Sequence, residues 1–234
     1  MESNALAGAD IIDVPGGTYT LSIEGRNEDA SVAGDLDVTD DLTINGPGEA
    51  DTIIDADGID RVLHIIDAIT EMSDMTVTGG NLPSGFGNGA GILNDGTAIL
   101  TNCTISNNEA AGEPLGGGGI LNNGIATMTN CTISGNVVLD GGKSAVDNTT
   151  LGLLTMTNCT ISGNEGTSRS SGLENNGIAT LTNCTISNNE VGDDGGGIRN
   201  FGTLELAHSI VANNTSGRDC VGAITSYGQK THPH

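Results

Sequence analysis

Aromatic residues are almost missing from this chain: it has no tryptophan, two phenylalanines and two tyrosines. Rings normally fill a wide globular core, so a chain of 234 residues without them needs a narrow interior lined by small aliphatics. Positive charge is equally scarce. Seven Lys and Arg stand against 30 Asp and Glu, a formal charge of -23, which repels phosphate backbones and anionic headgroups. Nucleic acid is therefore not an expected partner, and the acidity is read first as a solubility device of a secreted or salt-exposed protein. No long apolar run occurs, so no membrane-spanning helix is expected. The opening residues MESNALAGAD have neither a basic region nor an apolar run, so no signal peptide is read there. Five cysteines is an odd number, and four of them share one repeat position, unlike a disulfide framework.

What the chain does have is repetition and 37 glycines. The phrase LTNCTIS begins at Leu100 and returns, nearly unchanged, at Met128, Met156 and Leu181. Its cysteines, Cys103, Cys131, Cys159 and Cys184, lie 28, 28 and 25 residues apart, a period that belongs to stacked supersecondary units. Within one unit, GGGILNNGIATMTNCTISGN (Gly117 to Asn136), apolar residues alternate: Ile120, then Ala126 and Met128, then Cys131 and Ile133. Period two means strands. Three short strands separated by Asn and Gly turns predict an all-β fold, a three-sided right-handed parallel β-helix whose coils stack about 4.8 Å apart.

The interior columns follow. The first strand contributes Ile92, Ile120, Val146, Leu173 and Ile198; the second Leu100, Met128, Met156, Leu181 and Leu206; the third Ile105, Ile133, Ile161, Ile186 and Val211. The cysteines stack inside as small hydrophobes and stay reduced, because stacked neighbours about 4.8 Å apart are too distant for an unstrained bridge. They hold no metal, since no His or second Cys stands at ligand spacing. Asn102, Asn130, Asn158 and Asn183 fall at the turn between second and third strands, where stacked amides would form an inward asparagine ladder. Each begins an N-C-T glycosylation pattern, which an inward asparagine could not use. Asp41, Asp74 and His208 occupy the same position in looser coils. Seven such positions imply about seven coils and a rod roughly 35 Å long. The whole chain reads as one domain: irregular coils over 1–80, regular repeats over 81–215, and a tail over 216–234.

The chain resembles secreted and cell-surface bacterial right-handed parallel β-helix proteins, in the pattern of polymorphic outer-membrane-protein repeats and pectate-lyase-like folds. The resemblance rests on AGADIIDVPGGTYTL (Ala7 to Leu21), GDLDVTDDLTINGPG (Gly34 to Gly48) and the recurring GGGI and TNCTISGN phrases. It implies a secreted or surface location, and a family that includes adhesins, surface-display proteins and polysaccharide-active enzymes.

Three functions fit these features. The first is a structural, adhesive or glycan-binding module, favoured because near-identical units leave little room for chemistry, with a polysaccharide or cell-surface glycan as partner. The second is a polysaccharide lyase or glycoside hydrolase, built on the outward column of the first strand, where Asp147, Glu174 and Arg199 follow Leu93 and Leu121. Paired carboxylates there would act as acid and base, with Lys143, Arg169, Asp193 and Asp194 in neighbouring loops as binding residues. The plainer account of that column is a solvated ladder of ion pairs. The third is ice binding by outward rows such as Thr127/Thr129, Thr155/Thr157 and Thr180/Thr182. DADGID (Asp55 to Asp60) resembles a calcium loop without its length or terminal glutamate and is read as a turn; no other cofactor is expected. The sequence does not bear on oligomeric state.

Overall fold

A computed structural model of the chain describes residues 10–26, 29, 32–83, 88–111, 116–139, 144–167, 172–192, 196–215 and 218–227. Every strand pair within them is parallel and joins equivalent residues of successive turns, such as Ile120 with Val146, Met128 with Met156 and Ile133 with Ile161. The result is a parallel β-helix. One turn runs through Ile120–Asn122 in the first sheet, Ile125–Thr129 in the second, Thr132–Ser134 in the third and Val137–Leu139 in a fourth. The sheets contain eight, nine, eight and five strands respectively. Seven successive turns supply a strand to each of the first three sheets, and partial turns flank them. The fourth sheet, short and confined to five turns among the described residues, is not anticipated from the sequence; three of its strands, Asn81–Leu82, Glu165–Gly166 and Glu190–Val191, have two residues each.

The three aliphatic columns all face inward, and Ile105, Ile133, Met128, Met156, Val146 and Leu173 are fully enclosed. The cysteine column joins them: Cys103, Cys131, Cys159 and Cys184 are buried and unbridged. Each thiol points at backbone carbonyls, as Cys131 Sγ does at Thr129 O, 3.3 Å away. Hydrogen bonds between neighbouring thiols split the column: with burial they push Cys131 and Cys184 above the ordinary thiol range, and against burial they hold Cys103 and Cys159 below it.

The corners are built by residues that tolerate left-handed backbone. Asp74, Asn102, Asn130, Asn158, Asn183 and His208 all have φ between 51 and 58°. These side chains do stack, with Asn130 Nδ2 donating to Asn102 Oδ1 at 3.1 Å and Asn158 Nδ2 to Asn130 Oδ1 at 3.2 Å. The stack, however, lies on the outside of the rod, not inside it as expected. The left-handed residue interrupts the strand, so the alternation that sends Cys131 inward leaves Asn130 at the surface corner.

Two other asparagine ladders fill the interior. Asn94, Asn122, Asn148, Asn175 and Asn200 are buried at the corner between first and second sheets, linked by amide hydrogen bonds of 2.7 to 2.8 Å. Asn108, Asn136, Asn164, Asn189 and Asn214 form the second, between third and fourth sheets, ending on Asp219. Each amide also donates to a backbone carbonyl of a neighbouring coil or turn, for example Asn136 to Ile105 O at 3.0 Å, so carbonyls next to the corners are satisfied. The residue before each member of the second ladder is Asn107, Gly135, Gly163, Asn188 or Asn213, with φ of 54 to 63°. That is why the sequence alternates SNN and SGN there: Asn and Gly are the two residues at home in that conformation. Beside the first ladder, Gly124 is required because a side chain would collide with the carbonyl of Gly96 one turn away.

Candidate functional site

The register of the first sheet aligns Asp37, His64, Leu93, Leu121, Asp147, Glu174 and Arg199 in one column on its outer side. The three residues expected to form an acidic site are thus stacked on successive turns, about 4.8 Å apart. They do not line an open groove. Asp147 is 0% exposed and Glu174 3%, and even Leu93 and Leu121 are buried, so this side of the sheet is closed to solvent at those residues. Arg199 is the partly exposed member: its Nη1 stands 3.7 Å from Glu174 Oε2, and its guanidinium lies 4.8 Å from the Phe201 ring centre. Glu174 also accepts from Asn176 Nδ2 at 3.3 Å, and its backbone N–H donates to Ser144 Oγ at 3.2 Å. Lys143, Arg169, Asp193 and Asp194 lie outside the described residues. In DADGID, Asp55 accepts the Asp57 N–H and Asp60 the Arg61 N–H, each at 2.9 Å, which makes the segment a turn.

The second sheet presents a different surface. Its outward positions form three columns along the rod: Ile125, Leu153 and Ile178; Thr127, Thr155 and Thr180; Thr129, Thr157 and Thr182. The aliphatic members are 46, 44 and 52% exposed. Successive turns lie about 4.8 Å apart and outward residues along a strand about 6.6 Å apart, so the columns make a flat grid, apolar along one edge and hydroxyl-bearing over the rest. The surface amides of Asn130, Asn158 and Asn183 continue it at the corner. The threonines are legible from sequence; the aliphatic column is marked there only by the apolar residue directly before Ala126, Leu154 and Ala179. On the third sheet, Thr104, Thr132, Thr160 and Thr185 make a second hydroxyl column.

A family model described as the right handed beta helix region matches residues 65–226. The chain belongs to this family. The match covers most of the chain, including every regular turn of the β-helix and all four cysteines of the column. A comparison with curated proteins gives no match. Among the described residues, no helix is long and apolar enough to cross a membrane. Membership fixes the fold and accommodates either a structural or a carbohydrate-related module; the surfaces of the rod have to separate the two.

Proposed function

We propose that this chain is an extracellular or surface-displayed binding rod that lays an extended, neutral polysaccharide along its second sheet. The observation that carries this is the Ile125, Leu153 and Ile178 column beside two columns of threonine. A sugar ring has an apolar face and a hydroxyl rim, and this grid offers both at a spacing that repeats along the polymer. The charge of -23 disfavours acidic polymers. The burial of Asp147 and Glu174 supports a non-catalytic role, because an acid or base must reach the atom whose proton it moves. Ice binding is the second reading, favoured by the same regular threonine columns, and thermal hysteresis measures it directly.

The test is a glycan array followed by incubation of any bound polymer with the intact chain. Retention of neutral polysaccharide without cleavage is the expected result. A new reducing end or an unsaturated product would assign the chain to the enzymes of its fold and overturn the proposal.

A further inference from the structure

The first sheet's outer column carries a second group of polar residues at its opposite end, separated from Asp147 by the apolar pair Leu93 and Leu121. There Asp37 and His64 are register partners on successive turns. His64 is 8% exposed, and its Nε2 lies 2.8 Å from Asp95 Oδ2. In the neutral tautomer that donates its Nε2 proton to that carboxylate, the imidazole presents a lone pair at Nδ1. Nδ1 has no partner at good hydrogen-bonding geometry, although, against the opposing effect of burial, the neighbouring Asp37 and Asp95 carboxylates favour the protonated ring and raise its pKa. Two carboxylate oxygens nevertheless face it, from Asp29 at 3.5 Å and Asp37 at 3.6 Å.

We propose that His64 Nδ1, Asp37 and Asp29 form a binding site for a divalent transition-metal ion such as Zn2+, with Asp95 as the outer carboxylate that orients the imidazole. The distances carry the argument. Donors about 2.1 Å from a tetrahedral ion stand about 3.4 Å from one another, which matches the two separations at Nδ1 and is too long for a good hydrogen bond. All three ligand atoms lie within 4.8 Å of one another. One imidazole nitrogen with carboxylate oxygens suits zinc and its neighbours, whereas calcium prefers oxygen alone. The His64–Asp95 pair is the carboxylate–histidine arrangement that fixes a ligand's tautomer. Asp37 forms the closed wall, its side chain 0% exposed, while Asp29 at 73% leaves one side open to water ligands. The proposal is independent of the polysaccharide reading, since the second sheet contributes none of these residues.

The intact chain, stripped with a chelator, would be titrated with Zn2+ by calorimetry and with Co2+ by visible absorption. One equivalent of each is expected, with a cobalt spectrum showing low coordination number. His64→Gln and Asp37→Asn should weaken binding at least 100-fold, and Asp95→Asn about 10–100-fold, with matching loss of the cobalt band. Asp29→Asn changes an exposed side chain and keeps the test decisive if the buried variants fail to fold; it too should weaken binding more than tenfold. No uptake by the native chain, undiminished uptake by Asp29→Asn or His64→Gln, or equal affinity for Ca2+ would each overturn the proposal.

Discussion

The side-chain amide of Asn122 donates to Asn148 Oδ1 at 2.8 Å while its own oxygen accepts from Asn94 Nδ2 at 2.7 Å, so each turn of the rod is hydrogen-bonded through its interior to both neighbours. Asn122 Nδ2 also reaches the carbonyls of Gly124 and Leu153, each at 3.2 Å. Deleting the amide leaves groups on two other turns without partners in a region closed to water.

Asn122→Ala should therefore cost about 1–3 kcal/mol for each orphaned group. Asn130 gives the contrast. At its exposed corner with φ of 55°, Asn130→Gly should be close to neutral and Asn130→Ala should cost about 1–2 kcal/mol of backbone strain. Urea denaturation of the three variants orders them. A larger loss for Asn130→Gly than for Asn122→Ala would place the structural ladder at the outer corner.

That contrast also shows where the sequence was readable. The columns through Ile133, Met128 and Val146 could be traced because strands alternate strictly and the repeat supplies the register. The turn position of the asparagine before each cysteine suggests an inward ladder of stacked amides, yet its left-handed backbone turns the side chain to the outer corner. The second inward ladder was spelled out in the repeated ISGN and ISNN phrases, where the last Asn never varies from Asn108 to Asn189 while its predecessor alternates between Asn and Gly. The outward position of Asp147 and Glu174 followed from the pattern, but their enclosure did not, because alternation names a side chain's face and not what covers that face. The His64 group was invisible for another reason: its members come from different turns and have no motif spacing.

The cysteines give a kinetic prediction. Native Cys103, Cys131, Cys159 and Cys184 should resist a thiol reagent until the rod unfolds, since each is at most 2% exposed. Cys220, half-buried, should react first but slowly at neutral pH, because burial and the neighbouring Asp219 push its thiol up to about 12. Its rate should climb about tenfold per pH unit while the thiolate remains a minor species. A plateau near pH 8, followed by mass spectrometry of the labelled peptide, would contradict this account.

Glu174 and Arg199 should act on stability and not on ligand capture. Glu174→Gln removes the charge facing Arg199 in a buried column and should cost about 1–3 kcal/mol. Asp147→Asn alters a side chain closed to solvent and should likewise shift the melting midpoint. Polysaccharide binding by either variant, assayed well below its melting point, should match the unmodified chain within a factor of two. Selective loss of binding at unchanged stability would return this column to the ligand site.

The second-sheet proposal predicts which face of the rod a ligand covers. Leu153 lies between Ile125 and Ile178 in the aliphatic column, on the same strand as Thr155 and Thr157. Leu153→Asp places a solvated charge where a ring face would rest and should weaken binding about tenfold or more, equivalent to about 1.4 kcal/mol. Because Leu153 already faces solvent, the fold should lose little stability. Thr160→Asp makes a charge change of the same sign on the third sheet, around the corner at Asn158, and should leave affinity unaltered. The pair holds net charge constant, so a difference between them reports position and not electrostatics at large. Equal weakening by both would mean that charge alone governs capture, and weakening by Thr160→Asp alone would move the ligand to the third sheet's hydroxyl column.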